Sequence, residues 1–571
     1  MKRKITGTLS AVLLCLVLAA CQGAADGGTA EGLEETQGQA APEQGGSAES
    51  LMRGYHRETR IPDDRYRTFY EVFVYSFFDG DGDGIGDLKG LTRKLDYISG
   101  GEGSVQDGLG CNGIWLMPIM PSPTYHKYDV VDYLDIDPQY GSMEDFEAFM
   151  EACRERDVHV LIDLVLNHTS SGHEWFRSAC DYLRRIGGQE PDPAQCPYVE
   201  YYHFSKEKAS GHYPVEGTDW YYEGSFWSEM PDLNLQSEAV RAEFEKITQF
   251  WLDKGVAGFR IDAAKEFVSD HTAQNVEILS WLDAAVASQR EDAYLVAEVW
   301  TDIDTYQKYY ASGIDSVFNF AFAQQGGIIA SALNRASGEG AVSYGKAAAA
   351  LEGRFGAFQP DYVDAPFYTN HDTARSAGYY SGEGGTEKTK LAQALNLMMT
   401  GNVFLYYGEE LGMKGAGKDE NKRAPMFWQE DPDGAGMCEG PADMDSVKMK
   451  YPSLEAQKAD GNSIFWFVKE AIRLRNTYPA IARGSVACLE EWSDEAVCVL
   501  RKEYRGEELL LLWNLGAERV RLDLGEVPLG GASVAEGVVA GALLTGTEDV
   551  AKDGGQIVLP PYSMAVLKGA E

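Results

Sequence analysis

Positive charge is scarce in this chain. Its 571 residues carry 50 Lys and Arg against 89 Asp and Glu, a formal net charge of −39. A surface this negative repels phosphate backbones, so nucleic acid is excluded as an expected partner. Long apolar runs are scarce as well. The strongest, Ala11–Ala19, is too short to span a bilayer as a helix of a mature protein. Cysteine numbers only nine, and no pair has zinc-site spacing. No tandem repeat is evident. Intrinsic disorder is excluded for the body of the chain by what is plentiful, 44% hydrophobic and 11% aromatic residues. The 31 Tyr and 11 Trp read first as packing rings and second as platforms for sugar rings.

Residues 1–20 read as a secretory signal: Lys2, Arg3 and Lys4, then the apolar core, then Leu18-Ala19-Ala20-Cys21. That ending resembles the lipobox of bacterial lipoproteins. The resemblance implies an acylated Cys21, an extracellular protein and membrane contact through the lipid alone. Residues 21–60 are rich in Gly, Ala, Glu, Gln and Ser, which predicts a flexible acidic tether. Seven cysteines follow. Cys180 with Cys196 would close a loop, and Cys488 with Cys498 could bridge a hairpin. The odd count leaves at least one free thiol.

From about residue 67 to 480, short apolar runs alternate with amphipathic segments. The runs Thr68–Val74, Gly113–Pro118, His159–Leu166, Ala257–Ile261, Ala293–Val299, Ser316–Phe320, Ala365–Thr369 and Val403–Tyr407 read as strands. Ser142–Arg156 reads as a helix with Ser142 as its cap. Ser237–Lys254 places Val240, Phe244, Ile247 and Trp251 at helical spacing. Eight strands alternating with helices predict an α/β fold, a (β/α)8 TIM barrel over 61–168 and 237–482, with an open doubly wound sheet as the rival. Residues 169–236, rich in Gly, Pro, Tyr and His, are expected to form an inserted subdomain. Residues 483–571 hold short β-like runs and read as a C-terminal antiparallel β-sandwich.

Several predicted strands end in polar residues within apolar surroundings. The third ends Asp163-Leu-Val-Leu-Asn167-His168, the fourth gives Arg260 and Asp262, the fifth Glu298, and the seventh His371 and Asp372. In a parallel barrel such ends converge on one face, where active sites form. Paired carboxylates suit glycosidic bond cleavage, one attacking the anomeric carbon and the other protonating the leaving oxygen. Arg260 shares a strand face with Asp262 and can keep it ionised. Glu298, in a mostly apolar strand, is placed for a raised pKa.

DLVLNH (Asp163–His168), GFRIDAAK (Gly258–Lys265), AEVW (Ala297–Trp300) and TNHD (Thr369–Asp372) resemble the four signature segments of the α-amylase family of retaining glycoside hydrolases. GIWLMP (Gly113–Pro118) is similar to a further one. The resemblance implies Asp262 as nucleophile, Glu298 as acid/base and Asp372 as the carboxylate gripping the sugar hydroxyls. His168, Arg260 and His371 would hold that sugar, and Tyr128 would stack on it. Lys265 and Arg423, in RAPMFW (Arg423–Trp428), fall among the implied substrate contacts. MPDLN (Met230–Asn234) resembles a segment intermediate between the oligo-1,6-glucosidase and neopullulanase types.

Asp79, Asp81, Asp83 and Asp87 alternate with glycine, a pattern suited to a hard cation. An acidic solvated turn is the alternative. Similar family loops bind calcium through such Asp side chains and a carbonyl, here that of Ile85. A second family calcium would use Asn167, although Lys265-Glu266 stands where many amylases have Lys-His. Tyr125 occupies a position where exo-acting relatives often carry Asp, which favours an open cleft. The expectation is therefore a monomeric α-amylase acting on internal α-1,4 bonds of starch and maltooligosaccharides. An α-1,6-acting or dual-specificity glucosidase and a transglycosylase are the alternatives. A non-catalytic glucan-binding surface protein is disfavoured by the presence of all three carboxylates.

Overall fold

A computed structural model describes residues 61–62, 64–100, 108–269, 271–335 and 340–570. The signal, Cys21 and all of the tether lie outside these residues. The first strands are β1 (Thr68–Val72), β2 (Gly113–Leu116) and β3 (His159–Leu164). A small antiparallel sheet follows, built from β4 (Phe204–Ser205), β5 (His212–Pro214) and β6 (Tyr221–Glu223). The chain then returns through β7 (Gly258–Ile261), β8 (Tyr294–Ala297), β9 (Ser316–Val317) and β10 (Val403–Tyr406). The seven long-range strands form one parallel sheet in the order β10-β1-β2-β3-β7-β8-β9.

The predicted strand Ala365–Thr369 differs from expectation. It holds only isolated parallel bridges, Phe318 to Ala365 on one side and Phe367 to Phe404 on the other. Pro366 is the physical reason: lacking an N–H, it cannot take part in a full ladder. The segment still closes the ring. Asn319 N donates to Ala365 O (3.0 Å), and Phe404 N donates to Pro366 O (2.8 Å). The sheet is therefore a closed barrel, as expected, with one irregular stave.

Aromatic side chains fill the barrel. The Phe69 ring stacks on Phe404 with centroids 4.7 Å apart, and Trp115 packs on Phe318 at 5.4 Å. Burying each such ring contributes about 1.5–3 kcal/mol. Gly258 is required by close approach: a Cβ there would lie 1.9 Å from Tyr294 O on the neighbouring strand. The predicted helices form at Met143–Glu155 and Glu238–Asp253. Ser142 and Asp145 make a reciprocal capping box at the first. Val240, Phe244, Ile247 and Trp251 are the buried face of the second.

Beyond Arg483, the strands Ser485–Cys488, Val497–Tyr504, Glu507–Asn514, Ser563–Lys568 and Val538–Leu544 pair in that order as one antiparallel sheet. Val499, Leu510, Leu512, Ile557 and Leu567 are among the buried residues of its core with a smaller sheet. Neither expected disulfide is present: Cys180, Cys196, Cys488 and Cys498 are free thiols. Cys196 instead points its sulfur at Ser178 O, 3.8 Å away. Cys488 pairs across the ladder with Leu500 rather than Cys498. The two thiols are nonetheless neighbours, in hydrogen-bond contact without a bond between the sulfurs.

Candidate active site

Strand register brings the site together. Asp163 on β3 is level with Arg260 on β7, and Ile261 with Ala297 on β8. The polar residues just past these positions therefore meet at the C-terminal end of the barrel. At their centre is Arg260, fully buried. Its Nη1 lies 2.7 Å from Asp163 Oδ1 and 2.5 Å from Asp262 Oδ1, and its Nη2 lies 2.9 Å from Glu298 Oε2. Its guanidinium carbon sits 5.1 Å from the Trp115 ring centroid and 5.8 Å from that of Tyr128.

Ala263, next to Asp262, adopts a left-handed φ of 48°, which costs on the order of 1 kcal/mol for a non-glycine residue. The turn aims its N–H at Glu298 Oε2, 3.0 Å away. Local strain thus ties the segment bearing Asp262 to the carboxylate of the neighbouring strand.

A second group forms around His371. Its Nδ1 lies 2.6 Å from Glu71 Oε1, and its Nε2 lies 3.0 Å from Asp372 Oδ2. The Tyr128 hydroxyl is 2.7 Å from the same Nε2 and 3.1 Å from Asp163 Oδ2. The Tyr128 ring stacks on the imidazole at 5.5 Å. Arg423 Nη2 lies 3.1 Å from Asp372 Oδ1.

These groups hold five carboxyls, those of Glu71, Asp163, Asp262, Glu298 and Asp372, against three cationic side chains, Arg260, His371 and Arg423. In a site largely shut off from water, surplus negative charge is relieved by holding protons. Burial, reinforced by the charges of Asp262 and Asp372, pushes Glu298 above the usual carboxylate range although Arg260 opposes it. Burial likewise lifts Asp163 to about 7. Asp372 behaves oppositely: burial would raise it, but His371, Arg423 and Arg260 outweigh burial and hold it well below its ordinary value. His371 is disfavoured as a cation by burial, yet Asp372 and Glu71 raise it to about 9. Two acids of contrasting proton affinity, Glu298 and Asp372, thus flank one cleft.

The remaining expected residues spread around this centre. His168 is buried beside Phe226, with ring centroids 5.1 Å apart, and among the described residues its Nε2 has no hydrogen-bond partner. Lys265 stands on the rim, its side chain 41% exposed and paired with Glu266. Asn167 donates its amide to Asp232 Oδ1 at 3.1 Å. The one group of three or more acidic, histidine or cysteine ligands among the described residues lies elsewhere, in the glycine-rich loop. In the glycine-rich loop, the carboxylates of Asp79, Asp81 and Asp87 lie within 4.8 Å of one another. Asp83 accepts the N–H of Ile85 at 2.8 Å.

Sequence reasoning missed Glu71, which orients His371, and gave Asp163 no role. A single Glu in the apolar run Thr68–Val72, facing the barrel interior, was the only available signal.

A carboxylate pair at the C-terminal mouth of a parallel barrel is the arrangement a glycoside hydrolase requires, and the family match shows that class. The chain belongs to the α-amylase family, whose catalytic-domain profile matches residues 71–484. It is 36% identical over 450 residues to Alpha-amylase 3 of Dictyoglomus thermophilum, covering 78% of this chain and 84% of that one. It is 27% identical over 545 residues to the oligo-1,6-glucosidase of Bacillus cereus, covering 80% and 91%. The solved structure of Eubacterium rectale Amy13B superposes with a TM-score of 0.87 at 47% identity, covering 92% of this chain and all of that one.

Proposed function

We propose that this protein is an α-amylase cleaving internal α-1,4 bonds of starch and maltooligosaccharides with retention of configuration. The observation that carries the reading is the shared guanidinium of Arg260, which touches both Asp262 and Glu298. Two carboxylates on one guanidinium stand close together, in keeping with the short spacing of about 5–5.5 Å at retaining sites rather than the wider gap that admits a water. Asp262 Oδ attacks the anomeric carbon while protonated Glu298 gives its proton to the leaving glycosidic oxygen. Glu298, now a carboxylate, takes a proton from water, which attacks the glycosyl ester and releases Asp262. Asp372, held ionised, grips the sugar hydroxyls with His371 and the unpartnered His168 Nε2. Tyr128 supplies a flat face.

Exposed rings support a sugar substrate. Trp300, two residues past Glu298, is 45% exposed and stacks on Phe320 at 5.4 Å. Phe226 and Trp227 of the inserted subdomain are exposed, and Phe226 lies beside His168. Sugar faces pack on such rings. An α-1,6 or dual specificity is the second reading, favoured by the oligo-1,6-glucosidase relative.

Asp79, Asp81 and Asp87 offer the all-oxygen donor set that suits calcium, which would offset their mutual repulsion and brace the loop. The chain is further proposed to be an extracellular lipoprotein anchored at Cys21 and to act as a monomer, with glucan as its partner. No described helix is long and apolar enough to cross a membrane. Product analysis on soluble starch, pullulan and maltotriose tests the specificity. Maltooligosaccharide ladders are expected from starch, whereas panose from pullulan supports the second reading.

A further inference from the structure

The Asp79–Asp87 loop does not stand alone. Asp79 N donates to Gly436 O at 3.1 Å, and Glu439 N donates to Gly84 O at 2.8 Å. The contact is tight: a Cβ on Gly436 would lie 2.0 Å from the Phe78 ring, and one on Gly84 would lie 3.0 Å from the Glu439 carboxyl carbon. The segment after β10 thus lies directly on the acidic loop and brings Glu439 to it. Glu439 stands outside the group of three carboxylates, with its side chain against Gly84 of the loop.

The same segment runs back to the active site. Trp428 Nε1 donates to Phe77 O at 2.6 Å, and Met426 N donates to Ser76 O at 2.8 Å. Lys94 Nζ sits 4.1 Å from the Phe78 ring centroid and 4.3 Å from that of Trp428, pinning the two strand-end loops together. Further back, Lys422 Nζ donates to Asp372 O at 2.7 Å, and Arg423 makes its ion pair with Asp372. The links run from the loop after β1 to the segment after β10, and from that segment to Asp372 beyond the Ala365–Thr369 stave.

We propose that Glu439 is a positioning residue through which a calcium ion on Asp79, Asp81 and Asp87 orders residues 423–440 and so seats Arg423 against Asp372. The inference rests on the calcium reading above and adds to it a residue from a distant part of the chain and a consequence at the cleft. Without the ion, the loop that Glu439 holds through Gly84 is unbraced, and the segment loosens with it. With it, the loops after β1 and β10 act as one wall of the cleft.

Calorimetric calcium titration of the metal-stripped full chain and hydrogen-exchange mass spectrometry test this together. Wild type is expected to bind calcium, and Glu439→Gln to bind it about ten-fold more weakly, in the range of supporting-residue effects at metal sites. Glu536→Gln, an exposed control, is expected to match wild type. Calcium removal should speed exchange in peptides from 423–440 and leave the helix Glu238–Asp253 unchanged. Equal exchange in 423–440 with and without calcium overturns the proposal, as does wild-type affinity in Glu439→Gln. If wild type takes up no calcium, the calcium reading falls and the proposal with it. Glucan hydrolysis, read separately by product release, is untouched by that outcome.

Discussion

Arg260 Nη1 lies 2.5 Å from Asp262 Oδ1, the two side chains standing on the same face of one strand. The arrangement keeps Asp262 aimed while the same guanidinium reaches across to Glu298. Arg260 is thus the organiser of the site rather than one sugar contact among several.

Replacing it should therefore damage the fold as well as the chemistry. Arg260→Gln leaves Asp163, Asp262 and Glu298 buried without their shared cation. Breaking a buried ion pair from one side costs about 3–5 kcal/mol. Chemical denaturation of the variant should show a loss of that order. A change under about 1 kcal/mol would show that the three carboxyls find other partners.

Glu298 must be protonated to act, and burial favours that state. Turnover should therefore fall as pH rises through its raised pKa, giving the basic limb of the profile. Glu298→Gln should lose about 10²–10⁴-fold on maltooligosaccharides. It should lose far less on α-glucosyl fluoride, whose leaving group needs no proton. Equal losses on both substrates would remove Glu298 from the acid role.

His371 gives a stability prediction whose sign follows from its raised pKa. The imidazolium's stabilising contribution is complete below about 6.5 and is lost as pH rises through about 9. Thermal midpoints should decline across that window. Glu71→Gln removes one of the two carboxylates that raise His371, so its midpoint should decline less steeply. Parallel curves for wild type and variant would contradict the pairing.

Tyr125 bears on where the substrate is cut. Its ring centroid is 5.9 Å from the guanidinium carbon of Arg423, which is paired with Asp372. Tyr125→Asp should draw Arg423 toward the new carboxylate and close the cleft around a terminal sugar. End-labelled maltoheptaose should then release more glucose and fewer mid-chain products. An unchanged product ladder would show that position 125 does not set the cleavage mode.

Much of this site was legible because its residues cluster in four short segments at strand ends, where alternating side chains and barrel geometry dictate convergence. What escaped did so for physical reasons. Glu71 sits alone in an apolar strand, and only the barrel's closure brings it under His371. Ala365–Thr369 reads as strand from its composition, yet Pro366 removes a donor and leaves bridges. Cys488 and Cys498 do come together as the hairpin reading implied, but as free thiols in hydrogen-bond contact. The inserted subdomain was legible mainly as an interval too long for a connection.

The central claim is that Asp262 forms a covalent bond to the sugar, and mass spectrometry of the trapped enzyme tests it most directly. A 5-fluoro-α-glucosyl fluoride slows both steps and lets the glycosyl ester accumulate. Digestion should then find one hexose adduct, on the peptide containing Asp262, and the Asp262→Asn variant should carry none. An adduct on Asp372 or Glu298, or no adduct together with a first product of inverted configuration, would contradict the account.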